Sequence, residues 1–331
     1  MTLIINNLDE ISHKYDALFV DLWGCVHNGI TAYESAVTAL VEYRRNGGKV
    51  VLVTNSPKPR IDVERQLVNF NVPKTCYDTV ATSGDSARTA MFKGAVGKKI
   101  YFIGEPRDQA FFEPISIIKS PIEIEQVSIQ NAEGIVCTGP FDGSADPSVN
   151  KEIFLFAIKN GMKFLCANPD IVVDRGETRQ WCAGALAKMY TEMGGESLYF
   201  GKPHSAIYNL ARIRLAQLGA NVDENKILAI GDGVNTDIKG ANSEEIDSLF
   251  VTGGLAAKET KTSYNPNPEA LKKYITKQTV DCTYSFGDTR PHNIDQNPSP
   301  YSGHSQRRAG SHASLWTDQI PDLRIYVVIA V

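Results

Sequence analysis

Short apolar runs that end in a polar or glycine residue recur along the chain and constrain its fold more than any other feature. Their apolar residues follow one another without alternation, which is typical of strands covered on both faces. The runs are ALFVD (17–21), VVLVTN (50–55), KIYFIGE (99–105), GIVCTG (134–139), KFLCAN (163–168), LYFGK (198–202), ILAIGD (227–232) and SLFVTG (248–253). They predict a mainly parallel sheet.

Segments with helical spacing separate these runs. In residues 33–48, apolar residues recur every three or four positions and are followed by Gly-Gly. Residues 203–219 begin with Pro and end with Gly, which are common residues at the two ends of a helix. Strands that alternate with helices predict βαβ units, and therefore an α/β fold with a parallel sheet.

Composition excludes some classes of partner. The 331 residues carry a net charge of -4, and this weak acidic balance argues against a nucleic-acid-binding surface. The N-terminal segment lacks the basic-then-apolar pattern of a signal peptide, and no apolar segment is long enough for a membrane span. The 6 cysteines have no CxxC spacing, which is typical of reduced thiols. We expect a cytoplasmic protein that binds neither a membrane nor nucleic acid.

Polar side chains follow several of the apolar runs. Because the carboxyl ends of parallel strands meet at one edge of a sheet, we expect these side chains to share one crevice. Carboxylates, a cation, a hydroxyl and an amide together can support phosphoryl transfer to an aspartate with Mg²⁺ bound. The residues are Asp21, Thr54, Asn55, Lys202, Asp232 and Asp237.

Four motifs occur in the order found in a known family. They are VDLWG, VTNSP, FGKPHSAIY and GDGVNTDIKGAN. With them, residues 10–285 resemble the haloacid dehalogenase (HAD) superfamily, specifically the NagD-like subfamily IIA with a large C2-type α/β cap. The resemblance implies a Rossmannoid catalytic core at 1–90 and 199–285, an inserted cap at 91–198, and Mg²⁺ as cofactor.

The resemblance also implies roles for the motif residues. Asp21 is expected to be the nucleophile, and Thr54 and Lys202 are expected to bind the phosphoryl group. The metal is expected to be held by Asp21, by Asp232 and by the backbone carbonyl of Trp23, with support from Asp237.

Trp23 departs from the pattern of the superfamily, in which most phosphatases carry a second aspartate at this position. That aspartate protonates the leaving oxygen and later activates water. A backbone carbonyl survives any substitution, but a general acid and base does not. His27 is the nearest titratable substitute, and the proton could equally come from the substrate or from no group at all.

Further residues are predicted to contact the substrate. Asn55, Ser56 and the Trp23 ring lie in or beside the core motifs, and on resemblance alone the cap is expected to contribute Asn168, Asp170 and Gly184. In contrast, residues 286–331 are rich in Pro, Ser, Gly and Asn and have almost no periodicity, so we predict an irregular or disordered tail.

Several functions are compatible with these features. The leading one is a phosphatase that acts on a small phosphorylated metabolite, either a sugar phosphate or a nucleoside monophosphate; a homodimer is left open. A catalytically weak or inactive HAD-fold protein that binds phosphometabolites is the alternative, and Trp23 favours it. A signalling receiver also places Asp, Thr and Lys at strand ends, but receivers are far shorter.

Overall fold

A computed structural model describes residues 2–175 and 178–287 of the chain. Its strands are β1 (Leu3–Ile4), β2 (Ala17–Val20), β3 (Lys49–Thr54), β4 (Thr79–Thr82), β5 (Lys99–Ile103), β6 (Glu125–Gln126), β7 (Gly134–Cys137), β8 (Lys163–Cys166), β9 (Val172–Arg175), β10 (Thr178–Trp181), β11 (Glu196–Tyr199), β12 (Ile227–Gly231), β13 (Asp247–Val251) and β14 (Tyr284–Phe286).

The α-helices lie between these strands in sequence. They are α1 (Asp9–Ser12), α2 (Glu34–Arg45), α3 (Arg60–Asn69), α4 (Ser83–Phe92), α5 (Lys151–Lys159), α6 (Ala183–Glu192), α7 (Ser205–Gln217), α8 (Lys239–Ser243) and α9 (Pro268–Gln278). The two segments with the clearest helical spacing form α2 and α7, as predicted. Within the described ranges, no helix is both long and apolar enough to cross a membrane.

The strands form two parallel sheets and one hairpin. The larger sheet has the order β1-β14-β13-β12-β2-β3-β4, and we call it the core sheet. The smaller one has the order β11-β8-β7-β5-β6, and we call it the cap sheet. Strands β9 and β10 form a separate antiparallel pair. The predicted α/β class with parallel sheets is confirmed.

Apolar packing on both faces explains why the strand runs do not alternate. In β2, Leu18 and Val20 belong to one apolar cluster, whereas Ala17 and Phe19 belong to another. The cap sheet is covered in the same way by two further clusters. Each central strand is therefore apolar at successive positions, and polar side chains follow only where the strand ends.

Strand β11 lies in the cap sheet, whereas the sequence analysis places it beside the core strands. The run LYFGK was grouped with the strands that end beside Asp21, but β11 pairs with β8 in the cap sheet. Lys202 therefore follows a cap strand and reaches the core through the short connection to α7. This prediction was wrong because an apolar run specifies a buried strand without specifying its neighbours.

The exact domain boundaries stay a proposal. Helix α4 follows a core strand, yet its residues Ala87, Met91 and Phe92 pack in a cluster with the cap strands. At the other end, β14 includes Phe286, so the last strand extends one residue into the predicted tail. Residues 288–331 of that tail lie outside the described part of the chain.

Candidate active site

Three neighbouring core strands bring the first site residues together. Strand β2 lies between β12 and β3, so Asp21, Thr54 and Asp232 come to the same edge of the sheet. The backbone N–H of Asp21 donates to the Ile230 carbonyl at 2.8 Å, which continues the ladder one residue beyond the strand. The carboxylate of Asp21 is thus placed by sheet register.

Lys202 joins two of the carboxylates. Its Nζ donates to Asp21 Oδ1 and, at 2.7 Å, to Asp237 Oδ1. The other oxygen of Asp237 accepts the Gly233 backbone N–H at 3.0 Å and the Thr236 hydroxyl at 3.2 Å. Both oxygens of Asp237 are therefore in use, and this residue orients Lys202 rather than offering a free ligand.

The charges in this cluster do not balance. Asp21, Asp232 and Asp237 are buried with Lys202, and each of the four residues keeps less than a tenth of its surface exposed. Burial raises the pKa of Asp21 to about 7, against the lowering effect of Lys202. Burial and the neighbouring Asp21 raise the pKa of Asp232 well above its usual range. Three buried carboxylates thus have one ammonium between them, and a cation would allow all of them to ionise.

The donor set fits a hard divalent cation. The ligand atoms of Asp21, Asp232 and Cys25 lie within 4.8 Å of one another. Burial raises the pKa of the Cys25 thiol well above its usual range, so this group remains a protonated thiol and a poor ligand for Mg²⁺. A Cβ on Gly24 would lie 2.2 Å from Asp232 Oδ2, so the Trp23–Gly24 backbone passes beside this carboxylate. The residues present therefore fit the predicted magnesium site.

Trp23 and His27 form one packed unit above the strand end. The Trp23 ring lies edge-on to His27 at 5.7 Å between centroids, and a Cβ on Gly29 would lie 2.1 Å from it. His27 is 4% exposed, and its Nδ1 accepts the Gly29 backbone N–H at 3.0 Å. Burial lowers the pKa of His27 to about 4. The imidazole is neutral at pH 7, which argues against its predicted role as a proton donor.

Asn55 connects the core to the cap. Its Oδ1 accepts the Lys202 backbone N–H at 2.7 Å, and its Nδ2 donates to Asp170 Oδ1 at 2.8 Å. The amide is 7% exposed and has both ends engaged. Asn55 also lines the cavity, so its predicted contact with substrate stays a prediction, and its bonds position Lys202 and Asp170.

The other predicted cap residues have different surroundings. Asn168 lines the cavity, and its Oδ1 accepts the Asp170 backbone N–H at 3.0 Å. Gly184 is buried at the start of α6, where a Cβ would lie 2.1 Å from the Pro169 carbonyl oxygen. Gly184 is not among the residues that line the cavity, and its lack of a side chain allows close packing of the cap loop, so its predicted contact with substrate stays a prediction.

Thr54 and Ser56 of the VTNSP motif line the cavity. The Thr54 hydroxyl accepts the Ser56 backbone N–H at 3.2 Å, and the Ser56 hydroxyl accepts the Lys58 backbone N–H at 3.3 Å. Neither hydroxyl donates a hydrogen bond within residues 2–175 and 178–287, so each can donate to a phosphoryl oxygen.

A cavity of about 550 Å³ lies above this cluster, and residues of both sheets line it. Its cap side includes polar residues that the sequence analysis did not single out. Glu105 and Thr138 follow β5 and β7, so the strand-end rule that located Asp21 could have found them as well. These additional lining residues are Glu105, Arg107, Asp108, Thr138, Gln180 and Trp181.

Comparison with known proteins identifies the family. A model of haloacid dehalogenase-like hydrolases matches residues 18–117, and a second HAD-hydrolase-like model matches residues 199–277. A solved hydrolase of the haloacid dehalogenase-like family from Brucella suis is 37% identical, with a TM-score of 0.72, over 86% of this chain and 98% of that one. The chain belongs to the haloacid dehalogenase-like hydrolases.

Curated relatives of this haloacid dehalogenase-like hydrolase carry phosphatase names. The 5'-nucleotidase YutF of Bacillus subtilis is 27% identical over 77% of this chain and 93% of its own length. An acid sugar phosphatase of Staphylococcus epidermidis is 23% identical over 83% and 95% of the two chains. The predicted family, its NagD-like branch and the enzyme class, a phosphomonoester hydrolase, are confirmed.

Proposed function

We propose that this enzyme hydrolyses a small phosphorylated metabolite, a sugar phosphate or a nucleoside monophosphate, with Mg²⁺ and an aspartyl-phosphate intermediate. The observation that carries the proposal is the buried cluster in which Lys202 holds Asp21 and Asp237 while Asp232 lies within reach of a shared cation. The names of the curated relatives support both classes of substrate.

Each residue of the cluster has a role in this scheme. Asp21 ends a rigid strand, so its carboxylate attacks phosphorus from a fixed position. Lys202 and the Thr54 hydroxyl hold the transferred phosphoryl group and offset its charge. Asp21, Asp232 and the Trp23 carbonyl would hold Mg²⁺, which supplies further charge neutralisation when bound. Asp237 keeps the Lys202 ammonium directed at Asp21.

A screen of phosphorylated metabolites, with phosphate release as the readout, tests the proposal. Turnover is expected with Mg²⁺ and not with a chelator, and Asp21→Asn should abolish it. Asp16→Asn is the matched control, because Asp16 is an exposed aspartate near the start of the same strand. Release that persists in Asp21→Asn would exclude this nucleophile.

Trp23 favours a second candidate, a phosphometabolite-binding protein without turnover, because the usual acid and base is missing. Calorimetric binding of a phosphate ester that is never hydrolysed would support that function instead. We also propose a cytoplasmic location, which is supported by six cysteines that have no CxxC spacing and are buried in the described part of the chain. A homodimer stays a prediction.

A further inference from the structure

Phosphate ester hydrolysis needs a proton at the leaving oxygen, and Trp23 cannot supply it. The attacking and leaving oxygens lie roughly in line through phosphorus, so the leaving oxygen faces away from Asp21. The cavity above Asp21 is also lined by residues that follow the cap strands, among them Thr138 and Asp170. A replacement donor is therefore to be sought among the titratable cap groups that line the cavity.

Two other titratable groups are poorly suited to this task. His27 belongs to the core, its Nδ1 already accepts a backbone N–H, and its imidazole is neutral at pH 7. Glu105 forms an ion pair with Arg107 at 2.5 Å, and its side chain is 40% exposed. Its side chain is thus held by Arg107 at the exposed rim of the cavity.

Asp170 is the cap carboxyl joined to the phosphoryl-binding elements. Its Oδ1 accepts from Asn55 at 2.8 Å, and Asn55 follows Thr54 directly and holds the backbone of Lys202. The main chain of Asp170 is fixed by Asn168 on one side and by Gly184 on the other. Within residues 2–175 and 178–287, its Oδ2 has no hydrogen-bond partner.

The surroundings of Asp170 favour the protonated form. Burial raises the pKa of its carboxyl, the Asn55 bond and Lys202 lower it, and Asp237 raises it again. The net direction is upward. A raised pKa shifts the balance of the carboxyl toward its protonated form, and such a group can donate a proton and accept one again after it has ionised.

We propose that Asp170 is the general acid and base of this enzyme and performs the function that Trp23 cannot. This inference rests on the proposed function. In the first step, Asp21 forms a bond to phosphorus, the bond to the leaving oxygen breaks, and that oxygen takes the Asp170 proton to become an alcohol. In the second step, Asp170 takes a proton from a water molecule while the water oxygen forms a bond to phosphorus. The bond between phosphorus and the Asp21 oxygen breaks, which releases phosphate, returns Asp21 to a carboxylate and leaves Asp170 protonated.

Asp170→Asn is the decisive variant, because its amide oxygen can still accept from Asn55 while its NH₂ group cannot act as an acid. The probes are phenyl phosphate and 4-nitrophenyl phosphate, which have similar shapes but leaving groups of very different basicity. We expect kcat/KM for phenyl phosphate to fall by ~10²–10⁴ and that for 4-nitrophenyl phosphate to fall by much less. The alkaline limb of the wild-type pH profile should also disappear.

Asp108→Asn serves as the matched control, since Asp108 is a second cap carboxyl in the cavity and accepts the Thr138 hydroxyl at 2.7 Å. This variant should change kcat/KM for both substrates by the same factor. If Asp170→Asn lowers kcat/KM equally for both substrates, Asp170 is not the general acid, and the proposed function is unaffected. Absence of turnover of either ester by the wild type would instead overturn the proposed function.

Discussion

Buried His27 should make the folded protein less stable in mild acid. The side chain is 4% exposed, packs against Phe70 with ring centroids 4.8 Å apart, and accepts the Gly29 N–H through Nδ1. Burial lowers its pKa from 6.5 to about 4. The folded state therefore resists protonation over a pH range in which the unfolded chain does not.

The size of the effect follows from this difference in pKa. Above pH 6.5 the imidazole is neutral in both states and contributes no pH dependence. Between pH 6.5 and about 4 the unfolded chain binds a proton that the folded protein does not, so stability falls as pH falls. The loss amounts to about 3 kcal/mol at pH 4, and below that value the folded protein is protonated as well.

His27→Asn removes the titration while its side-chain oxygen can still accept the Gly29 N–H. Urea unfolding with a chelator present, repeated from pH 7 to pH 4, gives the free energy of unfolding of both proteins. The difference between wild type and variant should shift by about 3 kcal/mol against the wild type as the pH falls. Comparison at each pH cancels the titration of the site carboxylates.

His13→Asn is the matched control, because His13 is exposed. It should leave the difference from wild type nearly constant across the range. A constant difference for His27→Asn as well would refute the reasoning, since it would mean that His27 takes up a proton equally well in the folded state.

Two further predictions concern the metal and charge cluster. Gly24→Ala places a methyl group 2.2 Å from Asp232 Oδ2, at a residue with a φ of +81°. We therefore expect the free energy of unfolding to fall by about 1–2 kcal/mol and the rise in Tm on adding Mg²⁺ to be smaller than in the wild type. A rise as large as that of the wild type would contradict the assignment of this metal site. Lys202→Met leaves two buried carboxylates without their cation and should cost about 3–5 kcal/mol without metal. Lys163→Met, which breaks an exposed pair with Glu196, should cost about 0–1 kcal/mol, and equal costs would be inconsistent with a buried cluster.

Strand ends were the most informative positions in the sequence. Apolar runs without alternation predicted β2, β3 and β12, and the meeting of parallel strand ends then predicted that Asp21, Thr54 and Asp232 lie together. Both inferences depend on local pattern and on a general property of parallel sheets, so no knowledge of the chain path was needed.

The sequence pattern could not show which polar residues are buried or which distant segments pair. His27 was a candidate proton donor in the sequence, but its packing against Phe70 buries the ring, and this burial lowers its pKa to about 4. The VTNSP motif did not indicate that Asn55 joins Lys202 to Asp170. In each case a neighbour in space, rather than the residue type, determines what the side chain can do.

The sequence by itself therefore determined the α/β class, the family motifs and the core carboxylates, because these depend on residues close together in the chain. Only the tertiary structure decided that β11 joins the cap sheet and that Asp170 meets Asn55, 115 residues away. Such contacts depend on how the chain returns between the two sheets, and the free energy of closing a long loop depends only weakly on its length. The sequence pattern therefore does not specify which distant residues meet.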